Sequence, residues 1–141
     1  LKNKLDNSFF LVWADCISKI DFTDFAYFHK NHDGLATIAL TTVDDPSRFG
    51  VASMKGSNIT GFTEKPKKED ATSNLINSGI AIFEPEVIEK YIPKRGKAMV
   101  ERDLYPKLSR EGKLMGYPFS GQWFDTGTHE AYEQAIKEWV V

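Results

Sequence analysis

Residues 8–15 read Ser8-Phe9-Phe10-Leu11-Val12-Trp13-Ala14-Asp15, an apolar run closed by a single carboxylate. The run is far too short to span a bilayer. Its near-continuous apolar character suits a strand covered on both faces, as in a parallel sheet. In open α/β sheets, ligands gather beyond the carboxyl ends of the strands, so Asp15 stands where a functional carboxylate would. Position alone leaves two readings of Asp15 open. It could bind a divalent cation, or it could cap a turn or helix, a common use of aspartate.

Working outward, Asp21 and Thr23 offer N-caps for a helix carrying Phe22, Phe25, Ala26 and Phe28, with Gly34 as its C-terminal stop. Leu35–Val43 is rich in β-branched residues and predicts the next strand. Gly50–Met54 and Ile59–Thr63 predict a hairpin joined through Lys55-Gly56-Ser57-Asn58. Lys65–Ser73 is polar and predicts an exposed loop. Leu75–Phe83 predicts another buried strand, and a helix follows near Glu86–Tyr91, ending before Pro93. Leu104 and Leu108 set a helical spacing in Glu101–Arg110, with Gly112 as its stop. Strands at Leu114–Phe119 and Gln122–Phe124 precede a last helix from Thr128 to about Trp139. Strands alternate with helices and one hairpin interrupts them, which predicts an α/β fold with a mixed sheet.

Composition narrows the function. The 141 residues are 41% hydrophobic and 27% charged, the balance of a globular domain. A net charge of −2 lacks the basic excess that nucleic-acid binding demands, and no apolar run approaches a membrane span. The apolar N-terminal stretch is broken by Asp15 too early for a signal peptide, and a cytoplasmic location is expected. One cysteine, Cys16, excludes an internal disulfide and a cysteine-based zinc cluster; it reads as a small buried side chain. His29, His32 and His129 lack metal-ligand spacing and are expected on helix surfaces or caps.

Two further places put polar groups at a strand end. Trp123-Phe124-Asp125-Thr126-Gly127-Thr128 sets Asp125 just ahead of a helix start, where glycine permits close backbone approach and the helix N-terminus favours anions; the same residues also read as an ordinary cap with Thr128 as N-cap. In Phe62-Thr63-Glu64-Lys65-Pro66, adjacent side chains on an extended strand point to opposite faces. One of the pair could then reach a cleft, Glu64 toward sugar hydroxyls or Lys65 toward a phosphate, but considered singly a solvated surface pair is the simpler explanation.

Asp15, Arg48-Phe49-Gly50-Val51, Glu64-Lys65-Pro66, Asn77-Ser78-Gly79, Glu101 to Leu108 and Trp123 to Thr128 occur in that order. The succession resembles the sugar-1-phosphate nucleotidylyltransferase (nucleotide-sugar pyrophosphorylase) family from about Phe9 to Trp139. The resemblance implies a Rossmann-like mixed sheet flanked by helices, of the nucleotide-diphospho-sugar transferase kind. It also implies transfer of a nucleotidyl group from a nucleoside triphosphate to a sugar 1-phosphate, with release of pyrophosphate. By the same resemblance Asp15 and Asp125 match metal ligands for Mg2+, and Lys65 matches a catalytic contact to the sugar phosphate. Glu64 matches the contact to sugar hydroxyls. Phe49 and Gly50 match a backbone contact to the sugar, Asn77 and Gly79 match the strand lining the sugar pocket, and Trp123 matches a substrate-binding position. Trp13-Ala14 departs from the family's usual Asn-Gly.

The family's glycine-rich phosphate loop has no counterpart here. The expectation is therefore the C-terminal part of a catalytic domain, spanning 1–141, with the N-terminal part and most of the nucleoside triphosphate site missing, and inactive alone. The apolar edge of residues 8–14 is then expected to pair with further chain or with a partner, and a homo-oligomer is one such arrangement. Two alternatives remain: a regulatory or scaffold relative without turnover, and a sugar-phosphate-binding module.

Overall fold

The computed structural model describes residues 5–93 and 96–140. The strands are β1 (Phe9–Val12), β2 (Cys16–Ser18), β3 (Ala36–Thr42), β4 (Gly50–Lys55), β5 (Asn58–Glu64), β6 (Leu75–Phe83), β7 (Leu114–Pro118) and β8 (Trp123–Asp125). The helices are α1 (Phe22–Lys30), α2 (Pro85–Lys90), α3 (Tyr105–Arg110) and α4 (His129–Glu138).

Six strands form one mixed sheet in the order β1-β6-β3-β7-β5-β4. Only β3 and β7 run parallel, and the other pairings are antiparallel. Strands β3 and β6 are buried on both faces. Ala36, Ile38 and Leu40 enter one core with Phe62, Phe83, Tyr105 and Leu108. Ala39 enters the opposite core with Phe25, Ile80 and Ile82. Helix α1 thus covers one face of the sheet, and α2 with α3 the other.

This corrects the reading of residues 8–14. Strand β1 lies at the sheet edge, paired antiparallel to β6. Its inward residues Phe9 and Leu11 pack against the core, while Phe10 and Val12 are 45% and 50% exposed. Near-continuous apolarity here marks an uncovered face rather than a doubly covered strand. Phe10 meets Phe22 and Phe25 of α1, at ring separations of 5.4 and 6.2 Å.

Most predicted boundaries hold within a residue or two because their stop signals are strong. Asp21 caps α1, accepting from the Thr23 and Asp24 N–H groups at 2.8 and 3.0 Å. Thr128 caps α4 by accepting from the Ala131 N–H at 3.2 Å. The hairpin turn is tighter than expected, since β4 and β5 extend to Lys55 and Asn58. Gly34 is not the stop of α1, which ends at Lys30 with Asn31 as its cap; a side chain at Gly34 would instead strike Met115.

Two departures have physical causes. The segment expected as one helix from Glu101 begins as a π-helical turn, Val100–Leu104, before α3. The Tyr105 N–H donates to the Val100 carbonyl five residues back, which closes the wide turn, and Asp103 caps its start by accepting from the Met99 N–H at 2.7 Å. His29 does not sit on a helix surface. It is 3% exposed, with Nδ1 at 2.7 Å from Thr37 Oγ1 and Nε2 at 2.9 Å from Glu84 Oε1, so it links α1 to β3 and to the end of β6.

Tyr105 packs edge-on against Phe62 at 5.0 Å and is fully buried, and its hydroxyl has no hydrogen-bond partner among the described residues. Burying an unpaired hydroxyl costs about 1–3 kcal/mol. Tyr105→Phe keeps the ring contacts and should raise stability by roughly 1 kcal/mol. Thermal unfolding checks this; a lower midpoint would show that the hydroxyl contributes a bond.

Candidate functional site

The site depends on a second, two-stranded sheet. Strand β2, too short to be signalled by the sequence pattern, pairs antiparallel with β8 so that Cys16 lies opposite Asp125. The Asp15 carbonyl accepts two bonds from Thr126, from the N–H at 2.7 Å and from Oγ1 at 2.8 Å. The two aspartates consequently meet at one glycine. A Cβ added to Gly127 would lie 3.0 Å from Asp125 Oδ1 and 3.6 Å from Asp15 Oδ2. Residues far apart in sequence thus present their carboxylates to the same point.

The rest of the cleft comes from the large sheet. A bridge between Val51 and Ile76 draws the β4–β5 hairpin back to β6, bringing Gly50 and Glu64 to the side of Asn77 and Gly79. Asn77 Oδ1 accepts from the Gly79 N–H at 3.0 Å. Gly79 has φ +82°, and a Cβ there would sit 2.9 Å from Cys16 Sγ. The chain that carries Asp15 can pass this close only because residue 79 has no side chain. Trp123 is held by its indole N–H, which donates to the Ser78 carbonyl at 2.8 Å, and it meets Phe49 edge-on at 5.4 Å.

The resulting cleft, of about 270 Å³, is lined by every residue singled out in the sequence: Asp15, Phe49, Gly50, Glu64, Lys65, Asn77, Gly79, Trp123 and Asp125. Trp13, Cys16, Arg48, Met99 and Glu101 line it as well. Of these, Arg48 and Glu101 were visible only as parts of a motif, with no signal that either side chain enters the cleft.

Glu64 and Lys65 do not face opposite ways, as alternation along an extended strand would have it. Strand β5 ends at Glu64, and Lys65 has φ +48°, the one left-handed non-glycine among the described residues. Both side chains therefore enter the cleft, with Lys65 Nζ 3.8 Å from Glu64 Oε1. Left-handed backbone at a residue other than glycine costs about 1–3 kcal/mol, and a following proline disfavours helical backbone further. The Lys65 N–H holds it there by donating to the Phe49 carbonyl at 3.0 Å.

The charges are set by burial and by one another. Burial first, then the Glu101 carboxylate, pushes the Glu64 carboxyl above its ordinary value, with Lys65 and Arg102 opposing. Burial, then Asp15 and Asp125, pushes the Cys16 thiol up to about 12. The thiol stays protonated at neutral pH and is no nucleophile. Among the described residues no group of three or more His, Cys, Asp or Glu side chains could hold a metal by itself.

An α/β domain with an acid-rich cleft at its strand ends is the class that fold and site define. The chain belongs to the nucleotidyl transferase family, whose pattern it matches over residues 1–140. It is 40% identical over 128 residues to mannose-1-phosphate guanyltransferase 2 of Candida glabrata, covering 88% of this chain and 34% of that protein. It is 35% identical over 121 residues to the catalytic subunit beta of mannose-1-phosphate guanylyltransferase from Dictyostelium discoideum, covering 84% and 33%. A structure assigned as a glucose-1-phosphate thymidylyltransferase from Bacillus anthracis, in complex with sucrose, superposes with a TM-score of 0.82 at 26% identity. That superposition covers 96% of this chain and 56% of the other. A UDP-glucose pyrophosphorylase complexed with UDP-glucose shares the fold at a TM-score of 0.77 and 22% identity, covering 96% and 56%.

The chain spans about a third of the length of the curated relatives it matches. Measured against those whole proteins, the matched stretch lies in their N-terminal region, not at their C-terminal end. The fold expected from the resemblance is the fold observed. Among the described residues no helix is long and apolar enough to cross a membrane.

The raised Glu64 carboxyl gives a signed expectation. The native state holds this proton more tightly than the unfolded chain does. Its contribution to stability is therefore full below the unfolded value near 4.5 and is lost as pH rises through the raised native value. Glu64→Gln is neutral throughout, so its stability relative to the wild type should increase from about pH 4 to about pH 7. Denaturant unfolding at the two pH values checks this; a constant difference would show that Glu64 ionises as freely in the folded protein as in the unfolded one.

Proposed function

We propose that this chain supplies the sugar-phosphate and metal portion of a sugar-1-phosphate nucleotidylyltransferase, with mannose or glucose 1-phosphate as acceptor. The observation that carries the proposal is the convergence of Asp15, Asp125, Glu64 and Lys65 on one cleft beside the Phe49-Gly50 backbone, Asn77 and Trp123. In this reading the nucleoside triphosphate is held mostly by residues outside this sequence. The missing glycine-rich loop and the share of the relatives' length that lies beyond this chain both support that division.

The reaction joins two anions. A phosphate oxygen of the sugar 1-phosphate attacks the α-phosphorus of the triphosphate, the bond to the β-phosphate oxygen breaks, and pyrophosphate leaves. The nucleophile is supplied by the substrate, so the protein's task is positioning and charge stabilisation. Glu64, held at the cleft wall, accepts hydrogen bonds from sugar hydroxyls. Lys65, fixed beside it by the strained backbone, carries the charge that offsets the sugar phosphate. Trp123 and Phe49 form an apolar wall against which a sugar ring can rest.

Paired carboxylates with no third protein ligand fit Mg2+, which commonly takes one or two carboxylates and completes its shell with phosphates and water. Asp15 and Asp125 would hold it, and when bound it supplies charge neutralisation at the phosphates. The location is expected to be cytoplasmic.

The test uses the intact protein, assayed for pyrophosphate release with mannose 1-phosphate and GTP, and with glucose 1-phosphate and each nucleoside triphosphate. Turnover that requires Mg2+ and is lost in Asp125→Asn is the expected result. Lys65→Ala should weaken sugar 1-phosphate binding by about 1.5–3 kcal/mol, the range of a charge-assisted hydrogen bond. Calorimetry showing unchanged affinity would return Glu64 and Lys65 to the status of surface charges. The 141-residue chain by itself is expected to be inactive.

A further inference from the structure

Arg48 is a cationic cleft residue that touches a proposed metal ligand while having no assigned task. Its Nη2 lies 3.9 Å from Asp125 Oδ2, and its guanidinium carbon lies 5.8 Å from the centre of the Phe49 ring. The backbone beneath it is fixed. Arg48 ends a single 3-10 turn, Pro46–Arg48, capped by Asp45, and the Phe49 N–H and carbonyl are both used, to Pro46 at 3.0 Å and from Lys65 at 3.0 Å. The side chain is 66% exposed and holds only a long, 3.9 Å pair with Asp125, so little in the structure would oppose its turning. It borders the main cleft and also the shallower depression beside it, formed with Phe124, Ala131 and Gln134. The residue is a rigid pivot bearing a movable cation.

The charges around it give that mobility a use. Asp15, Glu64, Glu101 and Asp125 line the cleft, against Arg48 and Lys65, so the cleft is acid-rich before any ligand arrives. A sugar phosphate meets repulsion there until a cation is present, and a cation meets Arg48 already at Asp125. An exposed, long ion pair is weak. That suits a contact made to be given up. Guanidinium is also the side chain best matched to phosphate oxygens, through paired parallel N–H donors.

We propose that Arg48 is a positioning residue that is handed from Asp125 to the acceptor's phosphate: it neutralises Asp125 when no cation is bound, competes with the cation for that carboxylate, and turns onto the sugar phosphate once the cation arrives. This rests on the reading of Asp15 and Asp125 as the cation site. It predicts opposite effects of one substitution on two ligands, and positive coupling between those ligands in the wild type.

The experiment titrates the intact protein with Mn2+ alone, followed by electron paramagnetic resonance of the free ion, and then with mannose 1-phosphate in the presence and absence of Mn2+. The proteins compared are wild type, Arg48→Gln, Arg102→Gln and Asp125→Asn. Arg102 is the control because its charge also acts on Glu64; it does not line the cleft. Arg48→Gln should bind Mn2+ about threefold to fivefold more tightly, as loss of one exposed ion pair would give. It should bind mannose 1-phosphate more weakly and lose most of the coupling between the two ligands. Arg102→Gln should change neither by a comparable amount. Equal Mn2+ affinity in wild type and Arg48→Gln, with binding abolished in Asp125→Asn, would overturn the inference and leave the metal site standing. Equal tightening in Arg48→Gln and Arg102→Gln would overturn it as well, by showing only the general field of the cleft. Mn2+ binding that is unaffected by Asp125→Asn would remove the metal site and this inference together.

Discussion

The Asp15 carbonyl, accepting from both the N–H and the hydroxyl of Thr126, is the contact on which the site depends. It registers β2 against β8 and so sets where the two aspartates point. A carboxylate pair is electrostatically unfavourable unless something holds it in place or neutralises it. Backbone pairing does most of the holding, helped at Asp125 by the Gly127 N–H, which donates to its Oδ1 at 3.0 Å, and both aspartates keep a carboxylate oxygen beside Gly127. Both carboxylates still face the cleft because the main chain carries most of the structural load.

The same division recurs around the cleft. Lys65 is kept in a costly backbone conformation by a bond from its N–H to Phe49, which leaves its ammonium group 62% exposed. Asn77 spends its side-chain oxygen on the Gly79 N–H, and Trp123 spends its indole N–H on the Ser78 carbonyl. The Trp123 ring is thereby fixed edge-on to Phe49. Helix α1 and the pair α2–α3 cover opposite faces of the sheet, but the cleft lies at the strand ends between the two small β units, where neither layer reaches. Strain and close approach are concentrated at that edge, at Lys65 and Gly79, while the doubly buried β3 stays regular apart from one irregularity against β6.

The uncovered face of β1 has a different meaning. Phe10, Val12, Phe22 and Tyr27 are all large, apolar and well exposed. An edge strand with an apolar outer face is a surface that natural folds cover or pair. The solved relatives are longer than this chain, which covers 56% of the Bacillus anthracis structure.

The sequence by itself determined the elements with strong local signals. Leu75–Phe83 is a strand with the predicted ends, Asp21 and Thr128 are the caps they resemble, and Gly56-Ser57 turns a hairpin. These depend on neighbours a few residues away, which a linear reading can see. It also named the nine residues that meet in the cleft, through the order of their motifs rather than through any one of them. Only the tertiary structure decided that residues 8–14 hold an edge strand, because an apolar run reads alike whether a sheet covers it or leaves it at an edge. Only the structure disclosed β2, three residues long and stable solely against β8. It alone turned Lys65 to the side of Glu64, buried His29 between Thr37 and Glu84, and brought Arg48 and Glu101 to the cleft. Each of these depends on a partner distant in sequence, and periodicity carries no record of which distant segment the folded chain will bring near.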